Sequence, residues 1–273
     1  MTTDADLRNQ PKATLQEAEV HDMWSRQFRS GENDAFYAMA FDYIASLFGD
    51  PGDEIVLDAG CGTGTKSLEL ARRGFRVRAL DFSESVLPKA REAAKALGFE
   101  SRIEFGREDL TALSLASGSV RRAVCWGVLM HVPDIVAAVR ELSRVMAEGG
   151  VLVVSEGNLR SLQAASLRTL KRALGRQRAQ VHWTEAGIEF WETTGTGRVM
   201  TRQTDVRWLV AEFARHGMQL VERRAGQFTE IYMLLGSPIL RRGVHAFNNL
   251  WFRFPRFPGL AYGNLLVFQQ ASR

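Results

Sequence analysis

The chain has 273 residues, is 45% hydrophobic and 24% charged, and carries a net charge of +4. That composition supports a buried core and excludes general disorder, while 24 Gly, 7 Pro and 2 Cys exclude collagen-like and disulfide-scaffold chains. The charge is uneven: residues 1–50 hold nine acids against four bases, residues 157–178 hold six bases and no acid, and residues 231–273 hold five arginines and no acid.

Residues 14–48 read as one or two helices, with Met23, Phe28, Phe36, Phe41, Ile44 and Leu47 spaced among polar residues. Ile55–Leu57 is a short apolar strand that ends in Asp58 and a glycine turn. A helix follows over 67–73, then a strand at 76–80, a helix at 84–97, and strands near 103–105 and 123–128. Asp134 opens a helix with Ile135, Val136, Val139, Leu142 and Val145 at helical spacing, which Gly149–Gly150 stop before a buried strand at 151–154. Strands and helices alternating in this way predict an α/β fold, a doubly wound sheet with helices on both faces. The rhythm breaks at 157–203 and resumes with a helix at 205–216 and a strand at 218–225. A second irregular stretch, 227–262, precedes a last strand at 265–268. The predicted organisation is an N-terminal helical cover over 1–49 and one domain over 50–273, with insertions at 157–203 and 227–262 covering the ligand end of the sheet.

Cys61 and Cys125 lie in apolar strand-like surroundings, which suits a reducing compartment, and neither has metal-site spacing. The N-terminal residues lack a secretory pattern and no stretch is apolar enough to span a membrane, so the expectation is a cytoplasmic protein without a metal.

The chemistry concentrates in Val56-Leu57-Asp58-Ala59-Gly60-Cys61-Gly62-Thr63-Gly64. Glycines between a strand and a helix let backbone amides approach a ligand closely. The dinucleotide pattern G-x-G-x-x-G/A fails, because its last position falls on Thr65 counting from Gly60 and on Ser67 counting from Gly62. Asp58 would also repel a pyrophosphate and suits a ligand that presents a cation. Asp81, 21 residues after Gly60, closes the second strand where a carboxylate accepts hydrogen bonds from ribose hydroxyls. A nucleoside joined to a cation without phosphates describes S-adenosylmethionine. A phosphate-binding or vestigial nucleotide fold is the competing reading.

D-A-G-C-G-T-G followed by A-L-D-F-S resembles the first two motifs of class I S-adenosylmethionine-dependent methyltransferases, closest to the quinone-biosynthesis and small-molecule O- and C-methyltransferases. The likeness continues through Glu108-Asp109-Leu110, Gly118-Ser119-Val120, Leu129 to Asp134 and Glu148 to Leu152, and so covers 50–156. It implies a Rossmann-like, seven-stranded, mostly parallel sheet with one antiparallel strand. It further implies that Gly60 and Gly62 shape the methionine-binding turn and that Asp58 lies near the ammonium. Asp81 would hold the ribose, Phe82 would pack on the adenine, Asp109 and Leu110 would flank its other edge, and Trp126 would contact the cofactor through its backbone. Arg121 departs from the acid that usually opens the fourth strand. Asp109 as a turn-capping acid, and Phe82 and Trp126 as core residues, are the competing structural readings.

Methyl transfer from a sulfonium needs alignment and exclusion of water, and a base only where the acceptor loses a proton. His131, just after the fourth strand, is the candidate base; orienting its loop is its alternative role, and His21, His182 and His245 are alternative bases. An amino-methylating DNA enzyme is disfavoured by Trp126-Gly127-Val128-Leu129 in place of the Asp/Asn-Pro-Pro-aromatic motif, and cytosine methylation by the lack of a Pro-Cys nucleophile. The basic helix over 159–174 and the arginine- and aromatic-rich segment 245–258 would embrace a lipophilic acceptor with an anionic head, rest on a membrane surface, or close the core. The expected function is transfer of a methyl group to an oxygen of an aromatic or lipophilic small molecule, releasing S-adenosylhomocysteine. C- or N-methylation, and a non-catalytic cofactor-binding regulator, are the alternatives. RNA is a less favoured partner, and the oligomeric state is left open.

Overall fold

The computed structural model describes residues 33–173, 180–194, 197–254 and 257–271. The predicted helical content of 14–32, and His21 with it, lies outside the described residues. The first described element is the helix α1 (Asp34–Phe48), whose buried residues Phe36, Ala40, Phe41, Ile44 and Phe48 recur at helical spacing and face the sheet.

The main sheet has seven strands: β1 (Ile55–Ala59), β2 (Arg76–Asp81), β3 (Ile103–Arg107), β4 (Val120–Trp126), β5 (Met146–Gly157), β9 (Met218–Ala225) and β10 (Gly263–Gln270). Their order is β3-β2-β1-β4-β5-β10-β9. The first five are parallel, and β10 runs antiparallel to both β5 and β9. The expected sheet with one reversed strand is therefore present.

Helices α2 (Thr65–Arg72), α3 (Leu87–Ala96), α4 (Ile135–Val145) and α6 (Val206–Arg215) complete the crossovers. Asp134 caps α4, with Oδ1 accepting from the Ala137 amide at 3.0 Å, and Ile135, Ala138, Val139, Leu142 and Val145 form its buried stripe. Successive strand residues go to opposite faces, so each strand feeds two cores. Leu57, Cys125 and Leu152 pack against α4 and α6, whereas Val56, Val124 and Val153 pack against α1 and α2.

The two insertions are more regular than the sequence pattern predicts. The first contains α5 (Leu162–Ala173), close to the expected basic helix, and then an antiparallel sheet of β6 (Gln180–Thr184), β7 (Gly187–Thr194) and β8 (Gly197–Thr204). The second contains a 3-10 turn at Ile231–Leu234 and a 16-residue helix, α7 (Pro238–Arg253). Most of its large apolar residues, Ile239, Leu240, Phe247 and Leu250 among them, are exposed while Phe252 is buried, which hides the helical period. The strand expected at 123–128 runs instead from Val120 to Trp126, and Gly127, with φ +66°, turns the chain out of the sheet.

Candidate active site

The strand order reverses between β1, whose successors run to β2 and β3, and β4, whose successors run the other way. Ligands of open α/β sheets bind at such a switch point, beyond the carboxyl ends of the strands. A cavity of about 530 Å³ opens there, lined by the glycine turn, the ends of β2, β4 and β5, the N-terminal part of α1, and residues of both insertions.

The glycine turn is fixed from below. The amides of Gly60 and Cys61 both donate to the Leu80 carbonyl, at 2.8 and 2.9 Å. Gly60 has φ +83°, and a Cβ there would stand 2.5 Å from a Val128 methyl, so no other residue fits. Gly62, at φ +52°, has open space where a side chain would be, which leaves its backbone facing the cavity. Its amide donates to Asp81 Oδ2 at 2.8 Å, while the Ser83 amide donates to Asp81 Oδ1 at 2.9 Å. Asp81 thus ties the end of β2 to the turn and still borders the cavity.

Phe82, Asp109 and Leu110 line the same end of the cavity, beside Glu108. Asp109 Oδ1 accepts from the amide and hydroxyl of Thr111 at 2.9 and 2.7 Å, so it caps a turn as well as facing the cavity. Trp126 also lines the cavity, and its ring is stacked on Phe41 at 5.3 Å and meets Phe36 and Tyr37 edge-on. Trp126 is therefore a packed ring whose strand end borders the cavity. The strand-opening Arg121, on the far side of β4, pairs with Glu54 at 3.6 Å.

Asp58 is fully buried beneath the turn and does not line the cavity. Its Oδ2 accepts from the Ser67 hydroxyl at 2.5 Å, while Oδ1 has no hydrogen-bond partner among the described residues. Burial pushes its carboxyl up to about 6, against the opposing effects of Ser67 and Lys66.

His131 lines the cavity from the 3-10 turn after β4, and its Nδ1 lies 3.1 Å from the Met200 carbonyl. A carbonyl only accepts, so Nδ1 carries the proton and Nε2 is the basic nitrogen of the neutral ring. This tautomer is set by β8, a strand of the first insertion. Two further β8 residues act on the same region. Arg202, fully buried, donates to the carbonyls of Leu129, Val132 and Pro133 and pairs with Glu189 at 2.7 Å. Thr204 donates to Glu156 Oε2 at 3.0 Å, and Glu156 Oε1 accepts from the Met130 amide at 3.2 Å. Met200, Arg202 and Thr204 alternate along one strand and together hold the loop that carries His131.

His182 and His245 do not line the cavity: His182 stacks edge-on to Trp191, and His245 packs against Tyr232 at 4.3 Å. None of the described residues of the aromatic segment 245–258 lines the cavity either, and the second insertion reaches it through Gln227, Glu230, Tyr232 and Tyr262. These four, with Tyr37, Lys66 and Glu156, were not apparent from the sequence. Glu156 alone left a signal, an acid at the carboxyl end of a parallel strand. Lys66 Nζ sits 3.8 Å from the centre of the Tyr37 ring. Burial raises Glu156 and Glu230 to about 7 each, and Tyr37 to about 12. Six carboxyl side chains line the cavity against one lysine among the described residues, so its electrostatics favour a neutral or cationic ligand over the anionic head read from the flanking basic segments. No group of three or more metal-ligating side chains occurs among the described residues.

A sequence family described as a methyltransferase domain matches residues 56–150. The chain is 32% identical over 123 residues to a ubiquinone biosynthesis O-methyltransferase of Alkalilimnicola ehrlichii, covering 44% of this chain and 48% of that one. It spans about half or less of the length of the curated relatives it matches. Among solved structures, the CcbJ methyltransferase of Streptomyces caelestis shares the fold at a TM-score of 0.58 and 18% identity, over 93% of this chain and 96% of that one. The [4+2]-cyclase SpnF shares it at 0.57 and 18%, over 86% and 82%. The motif-bearing residues thus gather around one cavity at the switch point of this sheet, and residues 56–150 match the methyltransferase-domain family.

Proposed function

We propose that the protein transfers the methyl group of S-adenosylmethionine to an oxygen of a small-molecule acceptor, with His131 as the base. The observation that carries this reading is the Nδ1 contact of His131 with the Met200 carbonyl, which assigns the basic role to Nε2 in a ring that borders the cavity. S-adenosylmethionine supplies an electrophilic methyl on a sulfonium and leaves as S-adenosylhomocysteine. Gly60 and Gly62 would seat its methionine end, Asp81 would accept from the ribose hydroxyls, and Phe82, Asp109 and Leu110 would enclose the adenine. The unpaired Oδ1 of Asp58 fits a cation held just above the glycine turn. Trp126 would border the cofactor through the strand end.

Tyr37, Glu230, Tyr232 and Tyr262 form the other end of the cavity and would face the acceptor. In this arrangement α1, the described part of the N-terminal cover expected over 1–49, borders the site, and the described residues of 50–273 form the catalytic unit with its insertions within 157–203 and 227–262. His131 takes the acceptor's proton as the oxygen attacks, and the enclosing aromatics keep water out. The relatives named as O-methyltransferases favour oxygen over carbon or nitrogen.

The test is turnover with methyl-labelled S-adenosylmethionine and a host-cell extract, with Asp81→Ala as control. Labelled small molecules whose methyl carbon shows the NMR shift of an oxygen-bound methyl identify an oxygen acceptor. Cofactor binding without any transfer sinks the proposal and leaves a fold turned to another use, as in the cyclase that shares it.

A further inference from the structure

We propose that the outward face of α7 and the loop after it form a docking surface for an anionic lipid bilayer, bringing the protein to a membrane peripherally. The helix is amphipathic in the inverted sense. Its buried residues are His245, Asn248 and Phe252, and two of these three are polar. Asn248 holds the helix on the body of the protein, accepting from the Thr229 amide at 3.1 Å and donating to its carbonyl at 2.8 Å. At about 100° per residue, Ile239, Phe247, Leu250 and Phe254 fall on the opposite side. All four are exposed, from 41% for Phe247 to 79% for Ile239. A helix serving only the fold would bury that stripe and turn its histidine and asparagine to solvent.

The surface continues beyond the helix. Phe257 stands 65% exposed on a left-handed backbone, φ +51°, which a bulky side chain adopts only where something compensates the strain. Leu260 and Leu162 are exposed beside each other, joined by a hydrogen bond from the Leu162 amide to the Leu260 carbonyl at 3.1 Å. A stripe of large exposed apolar side chains along one helix, with more of them on the described residues that follow, is uncommon on a protein that meets only water.

Charge decides the partner. Arg242 and Arg253 are exposed along one edge of the stripe, and no acid occurs anywhere from 231 to 273. Leu, Ile and Phe on one side with arginines at the border are what the headgroup region of an anionic bilayer accepts, the apolar side chains entering the acyl boundary and the guanidinium groups meeting phosphates. No helix among the described residues is long and apolar enough to cross a membrane, so the contact lies in the interface.

The test is co-sedimentation of the full chain with vesicles of phosphatidylcholine alone and with a quarter of phosphatidylglycerol. Binding is expected with the anionic vesicles, weakening as salt rises. Ile239→Asp with Leu250→Asp should lower it by about tenfold or more, and Arg242→Glu with Arg253→Glu should remove the preference for anionic lipid. These side chains are exposed, so an unchanged melting temperature and unchanged S-adenosylmethionine affinity show that the variants fold. Absence of binding to anionic vesicles, or equal binding by the Asp variant, overturns the proposal. So does a dimer in light scattering that the Asp variant dissociates without any vesicle binding, which would make this a self-association face. None of these readouts depends on methyl transfer, so the proposal stands or falls apart from the catalytic one.

Discussion

Arg202 is the residue through which the first insertion controls the loop carrying His131, and removing it tests that link. Its guanidinium serves four acceptors at once: the carbonyls of Leu129, Val132 and Pro133 and the carboxylate of Glu189. Arg202 is 1% exposed in its side chain and Glu189 14%, so water replaces little of what is lost. Arg202→Met strands a nearly buried carboxylate and three carbonyls, a loss of about 3–5 kcal/mol by analogy with other buried pairs broken on one side. The nearby cavity admits water to some of the carbonyls, which favours the lower end of that range. At about 2–4 °C per kcal/mol for a chain of this size, the melting temperature should fall by about 10 °C.

Two further variants separate the causes. Adding Glu189→Gln to Arg202→Met removes the stranded charge and should recover part of the loss. Arg202→Lys keeps a charge but not the planar fork that reaches four acceptors, and should fall between. Below the new melting temperature, Arg202→Met should lower kcat while leaving S-adenosylmethionine affinity unchanged, since the hydrogen bonds that shape the glycine turn come from Leu80 and Asp81 and not from β8. A shift below about 2 °C, or a loss of cofactor affinity equal to the loss of kcat, would refute the view that β8 positions the His131 loop.

Other predictions follow from the same geometry. Asp81→Ala removes two charge-assisted hydrogen bonds that shape the turn and the proposed acceptor of the ribose hydroxyls; the dissociation constant for S-adenosylmethionine, read by calorimetry, should rise by about a hundredfold. His131→Ala should lower kcat by about 10²–10⁴ with the cofactor affinity intact; full activity would reduce His131 to a loop residue. Glu156 holds a proton to about 7 in the folded chain against 4.5 in its ordinary environment, so between these values the folded state binds more protons than the unfolded one. Its contribution therefore makes stability fall as pH rises through that window, and Glu156→Gln should flatten the urea-unfolding profile there. Asp58, raised to about 6, should release a proton when the cationic cofactor binds near that pH. Calorimetry in buffers of different ionisation enthalpy detects the release, and it should vanish in Asp58→Asn.

The parts of this protein that were legible in its sequence are those where local rules and the global fold demand the same residues. Asp134 caps a helix and starts an apolar stripe of period 3.6; Val56 and Leu57 feed opposite faces of a sheet; Gly60 allows the one backbone conformation that clears Val128. Each of these signals is short-range, and so each survives in a linear reading. The acceptor side was illegible for the opposite reason. Glu230, Tyr37 and Tyr262 reach one cavity from three elements far apart in the chain, and nothing local marks any of them. Asp58 shows a subtler limit: its position in the motif was readable, yet whether its carboxylate enters the cavity depends on Ser67, nine residues on in α2, which binds one of its oxygens. The inserted strand makes the point most fully. Met200, Arg202 and Thr204 look like any alternating strand, but the backbone carbonyl of the first and the side chains of the other two all turn to the loop after β4. An insertion that fixes the tautomer of His131 therefore belongs to the proposed active site without contributing a motif to it, so variation in 180–204 should alter turnover before it alters cofactor binding.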